Sequence, residues 1–282
     1  MHSINKIGNS FWYITPVSET DRPILGLVVG NKKTLMIDSG NSEDHANYFQ
    51  KELLNRGVKS TDMVVLTHWH WDHIFGLSAL SNTVSIASKK TKEEIEKLIP
   101  FSWSDEALAE RVKEGIEIEF CAKAIKEEFK DHRDIKIVLP DVTFEKRLEI
   151  DLGGVTCIVQ HVGGDHASDS VIVYIVEEKI LFLGDCIYPN LYSPKINYTI
   201  EETLRLLEEL EHFDADTYIL SHQMPLSKEE FNQEVVMLRT IAKYTKSCGG
   251  DYQKIIKEYK KHVNRELTED EREMISDFVN GF

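Results

Sequence analysis

The chain has 282 residues, enough for one large domain or two small ones. It carries 48 acidic against 33 basic residues, a formal net charge of −15. This balance disfavours a dedicated nucleic-acid binder, since phosphate recognition depends on clustered Lys and Arg. No early apolar run is long enough for a membrane span, the first residues lack the parts of a signal peptide, and the four cysteines form no C-x-x-C pair. We therefore expect a cytoplasmic protein, with neither nucleic acid nor membrane as a partner.

The first part of the chain alternates strand and helix signals. Apolar runs bounded by turn residues predict strands at residues 11–15, 26–30, 33–40, 63–68 and 84–88. Ser42 is the predicted N-cap of a helix that ends at Gly57. The run at residues 63–68 is continuously apolar at its start, which is typical of a strand buried on both faces.

Residues 89–134 show helical periodicity and dense charge. Two helical segments, at residues 89–100 and 105–130, are separated by the sequence PFSWS, and Pro100 breaks the first of them. The stretch is too short to build a core of its own. We interpret it as a helical insertion within a larger domain.

Strand signals return in the second half, at residues 135–140, 142–154, 155–164, 170–185 and 217–222. The run at residues 170–185 is divided by the sequence EEK, which predicts a tight hairpin. A helix is predicted over residues 199–213, and the tail at residues 227–282 is helical and amphipathic, with no linker before it. These patterns favour a single domain, residues 1–282, with two sheets and outer helices.

Four residues able to bind metal lie within six positions in the sequence THWHWDH. In an extended segment residues i and i+2 point to the same side, so His68 and His70 can bind one ion. The chain must then bend for Asp72 and His73 to point elsewhere, which makes two neighbouring ions the natural geometry. Imidazoles and carboxylates without a thiolate cluster suit zinc, and also iron or manganese.

Further ligands are expected where other apolar runs end. His166 lies in a Gly-rich turn, Asp185 closes the sequence ILFLGD, and His222 closes TYILSH. A carboxylate at the end of an apolar strand is costly to bury unless it is paired or bound to a metal. With the first four residues these make seven ligands, enough for two metal ions with room for water.

The sequences THWHWDH, GGDHASDS, LFLGDC and LSH, in this order, resemble the metallo-β-lactamase-fold superfamily. The sequence TLMIDSG is similar to the strand and turn that the superfamily carries before its first metal motif, and the resemblance spans roughly residues 26–222. It implies an α/β (α+β) fold, an αββα four-layer sandwich, with metals in a cleft at one edge of the two sheets. Asp185, rather than a cysteine, points to the glyoxalase II and lactonase-like branch and away from the true β-lactamases.

The resemblance also implies a ligand set: one ion held by His68, His70 and His166, a second held by Asp72, His73 and His222, and Asp185 bridging the two. The usual P-G-H turn of the family is here Gly163-Gly164-Asp165-His166, which leaves His161 as an alternative to His166. His166 is preferred, because the sequence HASDSV runs into the next strand.

A water bound to zinc has a pKa near 7, so the resemblance implies hydroxide, held by two metals, as the nucleophile. Asp72 could accept a proton as well as bind metal, and Asp38 is interpreted as a support of the metal loop. Tyr188 could donate to the substrate oxygen, as in lactone-cleaving members of the superfamily, or serve only in packing. Phe101 and Trp103 could form a substrate wall or simply attach the insertion to the core.

These features predict a zinc-dependent hydrolase, with two Zn²⁺ per chain, that cleaves a small-molecule ester, lactone, thioester or amide. A persulfide dioxygenase with one iron is the alternative from another class. A phosphodiesterase or nuclease on the same fold is disfavoured by the net charge of −15. A homo-oligomer is compatible with the sequence.

Overall fold

A computed structural model describes residues 2–130 and 133–282. Within these residues the first sheet has seven strands in chain order: β1 (Ile4–Ile7), β2 (Phe11–Ile14), β3 (Leu25–Val29), β4 (Thr34–Ile37), β5 (Met63–Val65), β6 (Val84–Ser88) and β7 (Val142–Phe144). Strands β1 to β4 form an antiparallel meander. From β4 onward each neighbouring pair is parallel. The carboxyl ends of β4, β5 and β6 therefore meet at one edge of the sheet.

The second sheet is mainly antiparallel. Over the described residues its strands are β8 (Arg147–Asp151), β9 (Thr156–His161), β10 (Val171–Ile175), β11 (Ile180–Gly184), β12 (Thr217–Leu220) and β13 (Leu226–Ser227), in the order β13-β12-β11-β10-β9-β8. Strands β10 and β11 form the predicted hairpin. Strand β12 pairs in parallel with β11, which brings the carboxyl ends of these two strands together.

The helices found in the described residues are α1 (Glu43–Asn55), α2 (Trp71–Ile74), α3 (Lys89–Leu98), α4 (Asp105–Glu114), α5 (Glu119–Phe129), α6 (Ile200–Leu210), α7 (Lys228–Cys248), α8 (Tyr252–Val263) and α9 (Glu269–Asn280). Ser42 caps α1 as predicted, since its side chain accepts a hydrogen bond from the backbone of His45. Nowhere in residues 2–130 and 133–282 is a helix both long enough and apolar enough to cross a membrane.

Three apolar clusters separate four layers. One, which includes Val28 and Phe182, fills the space between the two sheets. A second, which includes Phe49 and Ile125, lies between the first sheet and helices α1, α3, α4 and α5. The third, which includes Leu207 and Phe278, lies between the second sheet and helices α6 to α9. The expected αββα sandwich is confirmed. Its core consists of the apolar side chains that are buried between successive layers.

Two strand predictions were wrong. Residues 135–140 form no strand, because their alternating apolar residues pack onto the outer cluster of the first sheet without a ladder partner. Residues 142–154 divide after Phe144, and β7 and β8 belong to different sheets. The strand β1 was not foreseen.

The helical segment predicted over residues 105–130 is two helices. Gly115 ends α4 in the left-handed region, with φ of 72°, a conformation that glycine adopts at low cost. Pro100 lies just after α3, as predicted. Positions 131–132, which the predicted insertion at residues 89–134 includes, lie outside the described residues.

Candidate metal centre

The sequence THWHWDH lies where β5 ends. Backbone pairing with β4 and β6 continues to Leu66, whose N–H donates to the carbonyl of Ile86. The chain then bends at Thr67 and at Trp69, and His70, whose backbone is extended, is the N-cap residue of the short helix α2. The rings of His68 and His70 lie 4.5 Å apart, while Asp72 and His73 are carried into the first turn of α2.

The first cluster is formed by three histidines, His68, His70 and His166. One ring nitrogen from each lies within 4.8 Å of the others, and all three side chains are buried. Their Nε2 atoms are buried without a hydrogen-bond partner among the described residues. Burial lowers the pKa of each ring. Neutral imidazoles have a free lone pair, so this group fits a divalent metal ion.

The second cluster adds carboxylates. It consists of Asp72, His73, Asp185 and His222, whose ligand atoms all lie within 4.8 Å of one another. His73 Nε2 is 3.0 Å from Asp72 Oδ2, and His222 Nε2 is 3.2 Å from the same oxygen. Burial alone would lower the pKa of His73 and of His222, but the neighbouring carboxylates outweigh it and raise both values. Nitrogen and oxygen donors in this grouping also fit a divalent metal ion.

Asp185 lies between the two clusters. Its Oδ2 atom is 3.5 Å from His166 Nε2, 3.3 Å from His73 Nε2 and 3.2 Å from His222 Nε2. The preceding residue, Gly184, has φ of 57° and would place any Cβ 3.0 Å from the side chain of Thr67. The end of β11 can therefore pack directly against the THWHWDH segment. A single carboxylate oxygen is in this way presented to both groups.

A buried network supports the histidines from behind. Asp38, at the end of β4, accepts hydrogen bonds from His73 Nδ1 at 2.8 Å and from the backbone and hydroxyl of Thr67 at 2.7 and 2.9 Å. His166 Nδ1 donates to the carbonyl of Pro189 at 3.1 Å. These bonds fix which nitrogen of each ring faces the centre. The predicted supporting position of Asp38 agrees with this geometry.

Asp21 was missed by the sequence analysis. Its Oδ1 atom is 3.5 Å from His222 Nδ1, on the opposite side of the ring from Asp72 and Asp185. Burial and the charge of Asp72 raise the pKa of Asp21 to about 7. Its φ of 54° shows the left-handed conformation that Asp tolerates better than most residues. An isolated Asp in a turn gives no sequence signal for this position.

A cavity of about 220 Å³ opens beside both clusters. We call it the metal cavity; its lining includes Asp21, Tyr188, Tyr192, Ile118 and Phe120, together with five of the seven candidate ligands, His70, Asp72, His166, Asp185 and His222. Burial raises the pKa of Tyr188 well above its ordinary value, so its phenol is protonated at neutral pH. Tyr192 donates to Glu117 Oε1 at 3.2 Å.

The helical insertion contributes to this wall through the start of α5, with Ile118, Phe120 and Cys121. Phe101 and Trp103 lie elsewhere. Trp103 is buried, with its ring 4.8 Å from that of Phe75. The guanidinium of Arg111 packs on the rings of Phe101 and Trp103, 4.7 Å from each centroid. These contacts attach the insertion to the core, which is the second of the two interpretations.

Three other positions are placed by the structure. His161, at the end of β9, is outside both clusters, and its Nε2 lies 2.9 Å from the carbonyl of Ser168. Trp71 packs on Phe75 but also lines the metal cavity. The ring of Trp69 lies 4.7 Å from that of His70. The indole therefore helps to fix this imidazole.

The chain is similar to known proteins in its sequence pattern and in its fold. A model of the metallo-beta-lactamase superfamily matches residues 25–222. No curated protein matches the chain. Among solved structures, a metallo-beta-lactamase from Pontibacter korlensis is 18% identical, with a TM-score of 0.59, over 84% of this chain and 98% of that chain.

Two further structures have the same fold. TMB-1 is 17% identical, with a TM-score of 0.57. A metallo-beta-lactamase from Erythrobacter litoralis, with beta mercaptoethanol in its active site, is 16% identical, with a TM-score of 0.55. Each alignment covers 83% of this chain and 95% of the other. Because the family model spans most of the sequence and contains all seven clustered residues, this chain belongs to the metallo-beta-lactamase superfamily.

Proposed function

We propose that the protein is a metal-dependent hydrolase of small-molecule esters, lactones, thioesters or amides, with two zinc ions per chain. The observation that carries the proposal is the pair of buried donor clusters facing one oxygen of Asp185. His68, His70 and His166 would hold one ion; Asp72, His73 and His222 would hold the other, and Asp185 would contact both. Manganese or iron would fit the same donor types.

When bound, two divalent ions supply a nucleophile at neutral pH and polarise the substrate carbonyl. The residues around them position the reaction. The Tyr188 ring lies 6.0 Å from that of His166 and 6.3 Å from that of His222, at the wall shared with the ligands. Its protonated phenol can donate to a substrate oxygen on which negative charge develops. Asp72 holds a negative charge at this wall, since His73 and His222 keep its pKa low despite burial.

The lining favours an uncharged or cationic small molecule. Apolar and aromatic side chains dominate, including Trp71, Ile118 and Leu191, and a volume of about 220 Å³ suits a small acyl group. No Lys or Arg belongs to the described residues that line the cavity. An anionic thiol conjugate would find no cationic side chain beside the metal ions, which supports neutral ester and amide substrates.

Metal content and turnover together test the proposal. The purified protein is analysed for zinc, iron and manganese, then assayed on a panel of phenyl esters, lactones, thioesters and anilides. Close to two zinc or manganese ions per chain, with hydrolysis that a chelator abolishes and added zinc restores, is the expected result. One iron per chain with oxygen consumption on a persulfide would overturn it in favour of a dioxygenase. Hydrolysis that survives complete metal removal would also overturn it.

A further inference from the structure

A second cavity, of about 400 Å³, lies behind the wall of the metal cavity. We call it the acidic cavity; it is lined by the segment at residues 187–198 and by helices α7 and α9. Tyr188, Pro189 and Leu191 line both cavities. Gln223, the residue after the candidate ligand His222, also reaches the acidic cavity. The two cavities therefore share one wall.

Carboxylates set the charge of this cavity. Glu234, Asp270, Glu273 and Asp277 all line it, whereas none of its described lining residues is Lys, Arg or His. Nor does any of the four have an ion-pair partner in the part of the chain that the structure describes. The charge of these groups is consequently available to a ligand.

Asp277 is the decisive residue. It is only 8% exposed, and no described residue hydrogen-bonds to its side chain. It lies in the last turn of α9, where the helix dipole disfavours negative charge. Burial, with the charge of Glu273, raises the pKa of Asp277 to about 6, so the group is ionised at neutral pH. A largely buried residue whose carboxylate lines the cavity and has no partner among the described residues is suited to a cationic ligand.

The remaining walls suit an organic cation better than a metal ion. Tyr188 and Tyr198 line this space together with Met237 and Met274. The hydroxyl of Tyr198 already donates to the carbonyl of Ile187 at 3.1 Å. Aromatic faces attract ammonium groups, and apolar walls cover their methyl or methylene carbons. A divalent ion would instead require a shell of oxygen atoms.

We infer that the acidic cavity binds an organic ammonium group, with Asp277 as its main counter-charge. This step rests on the proposed function in one respect: the ammonium group is the cationic end of the substrate whose ester or amide carbon lies in the metal cavity. The shared wall of Tyr188, Pro189 and Leu191 is then the part of the site that the two ends of one substrate both touch.

Binding is tested without turnover. Choline and its uncharged isostere, 3,3-dimethylbutan-1-ol, are titrated into the purified protein by calorimetry, and binding is repeated with Asp185→Ala. Choline is expected to bind at least about tenfold more tightly than the isostere, and Asp277→Asn is expected to remove most of that difference. Glu273→Gln provides a second, more exposed change in the same cavity. Asp134→Asn, at a side chain that is 92% exposed, is the matched control for the charge.

Equal binding of choline and the isostere would overturn the inference, and so would undiminished choline binding by folded Asp277→Asn and Glu273→Gln proteins. Turnover separates the two proposals. If acetylcholine and 3,3-dimethylbutyl acetate are hydrolysed with the same kcat/KM, the hydrolase proposal stands and the inference fails. Choline binding by Asp185→Ala, together with failure of the whole ester and amide panel, would leave the ammonium site standing and reject the hydrolase proposal.

Discussion

The two neighbouring cavities differ in whether their buried carboxylates have partners. In the metal cavity every carboxylate of the second cluster has a histidine within 3.3 Å, and the histidines are oriented from behind by groups such as Asp38. In the acidic cavity Asp277 has no partner among the described residues, although its residue exposure of 8% is close to the 4% of Asp72. The same residue type thus has a strongly lowered pKa in one place and a raised pKa in the other.

The difference follows from which elements meet. The metal cavity lies where strand ends of both sheets converge, so several polar side chains are forced together. The acidic cavity lies between helices of the tail and a loop, where apolar side chains provide most of the contact. We interpret the first as a site arranged for metal ions and the second as one arranged for an organic cation.

The largest expected effect comes from Asp185→Ala, which removes the oxygen that both clusters share. We expect loss of most of the second metal ion and a fall in kcat of about 10³-fold or more, since a metal ion supplies several kcal/mol to a hydrolytic transition state. Metal analysis and steady-state kinetics measure both. Asp134→Ala controls for loss of a carboxylate elsewhere. A fully active Asp185→Ala protein would show that the bridging assignment is wrong.

Asp38→Asn tests the network behind the metal centre. One amide N–H must then face either Thr67 or His73, both of which already donate to Asp38. We expect metal affinity to fall about 10- to 100-fold, the usual effect of losing such a supporting contact. Competition with a chromogenic chelator measures it. Asp62→Asn is a matched control, because Asp62 also accepts bonds from a Thr and a cation, Thr34 and Lys33, away from the centre. Equal losses in the two variants would mean that Asp38 has only a structural role.

Tyr188→Phe probes the wall that separates the cavities. If the phenol donates to the developing oxyanion, kcat should fall about tenfold or more while the metal content stays unchanged, because a hydrogen bond to a charged group contributes about 1.5–3 kcal/mol. The pH profile of kcat is the second readout. An unchanged kcat would assign Tyr188 to packing alone, the alternative interpretation of its position.

The smallest expected effect is that of Asp277→Asn on stability. This substitution should stabilise the fold, although it weakens the binding of an ammonium group. The folded-state pKa of Asp277, about 6, lies above its ordinary value of 3.8, so ionisation above pH 6 costs stability. Asp277→Asn is therefore expected to raise the free energy of unfolding by about 1 kcal/mol at pH 7.5, and the gain should shrink as the pH falls from 6 towards 4. Urea denaturation with chelator present, at pH 7.5 and 4.5, measures the difference. A variant that is less stable at both pH values would show that the carboxylate has a stabilising partner.

Sequence by itself determined the local parts of this protein. Short-range patterns defined most strands, the capped helix α1, and the division of the segment from His68 to His73 between two ligand clusters, because pairing period and capping chemistry act between residues close in the chain. It also indicated His166, Asp185 and His222, since each is a polar residue at the end of an apolar run. The structure brings these residues into the same two clusters.

Only the tertiary structure decided what depends on distant contacts. Asp21 reaches His222 across the sandwich, and its own neighbours in the chain carry no pattern that would indicate this. The division of residues 142–154 between two sheets depends on which edge each half can pair with. Asp277 looks like any acidic residue of an amphipathic helix until the packing of α9 against residues 187–198 buries it. Burial and electrostatic environment depend on how the layers pack together, so short-range sequence patterns cannot predict them.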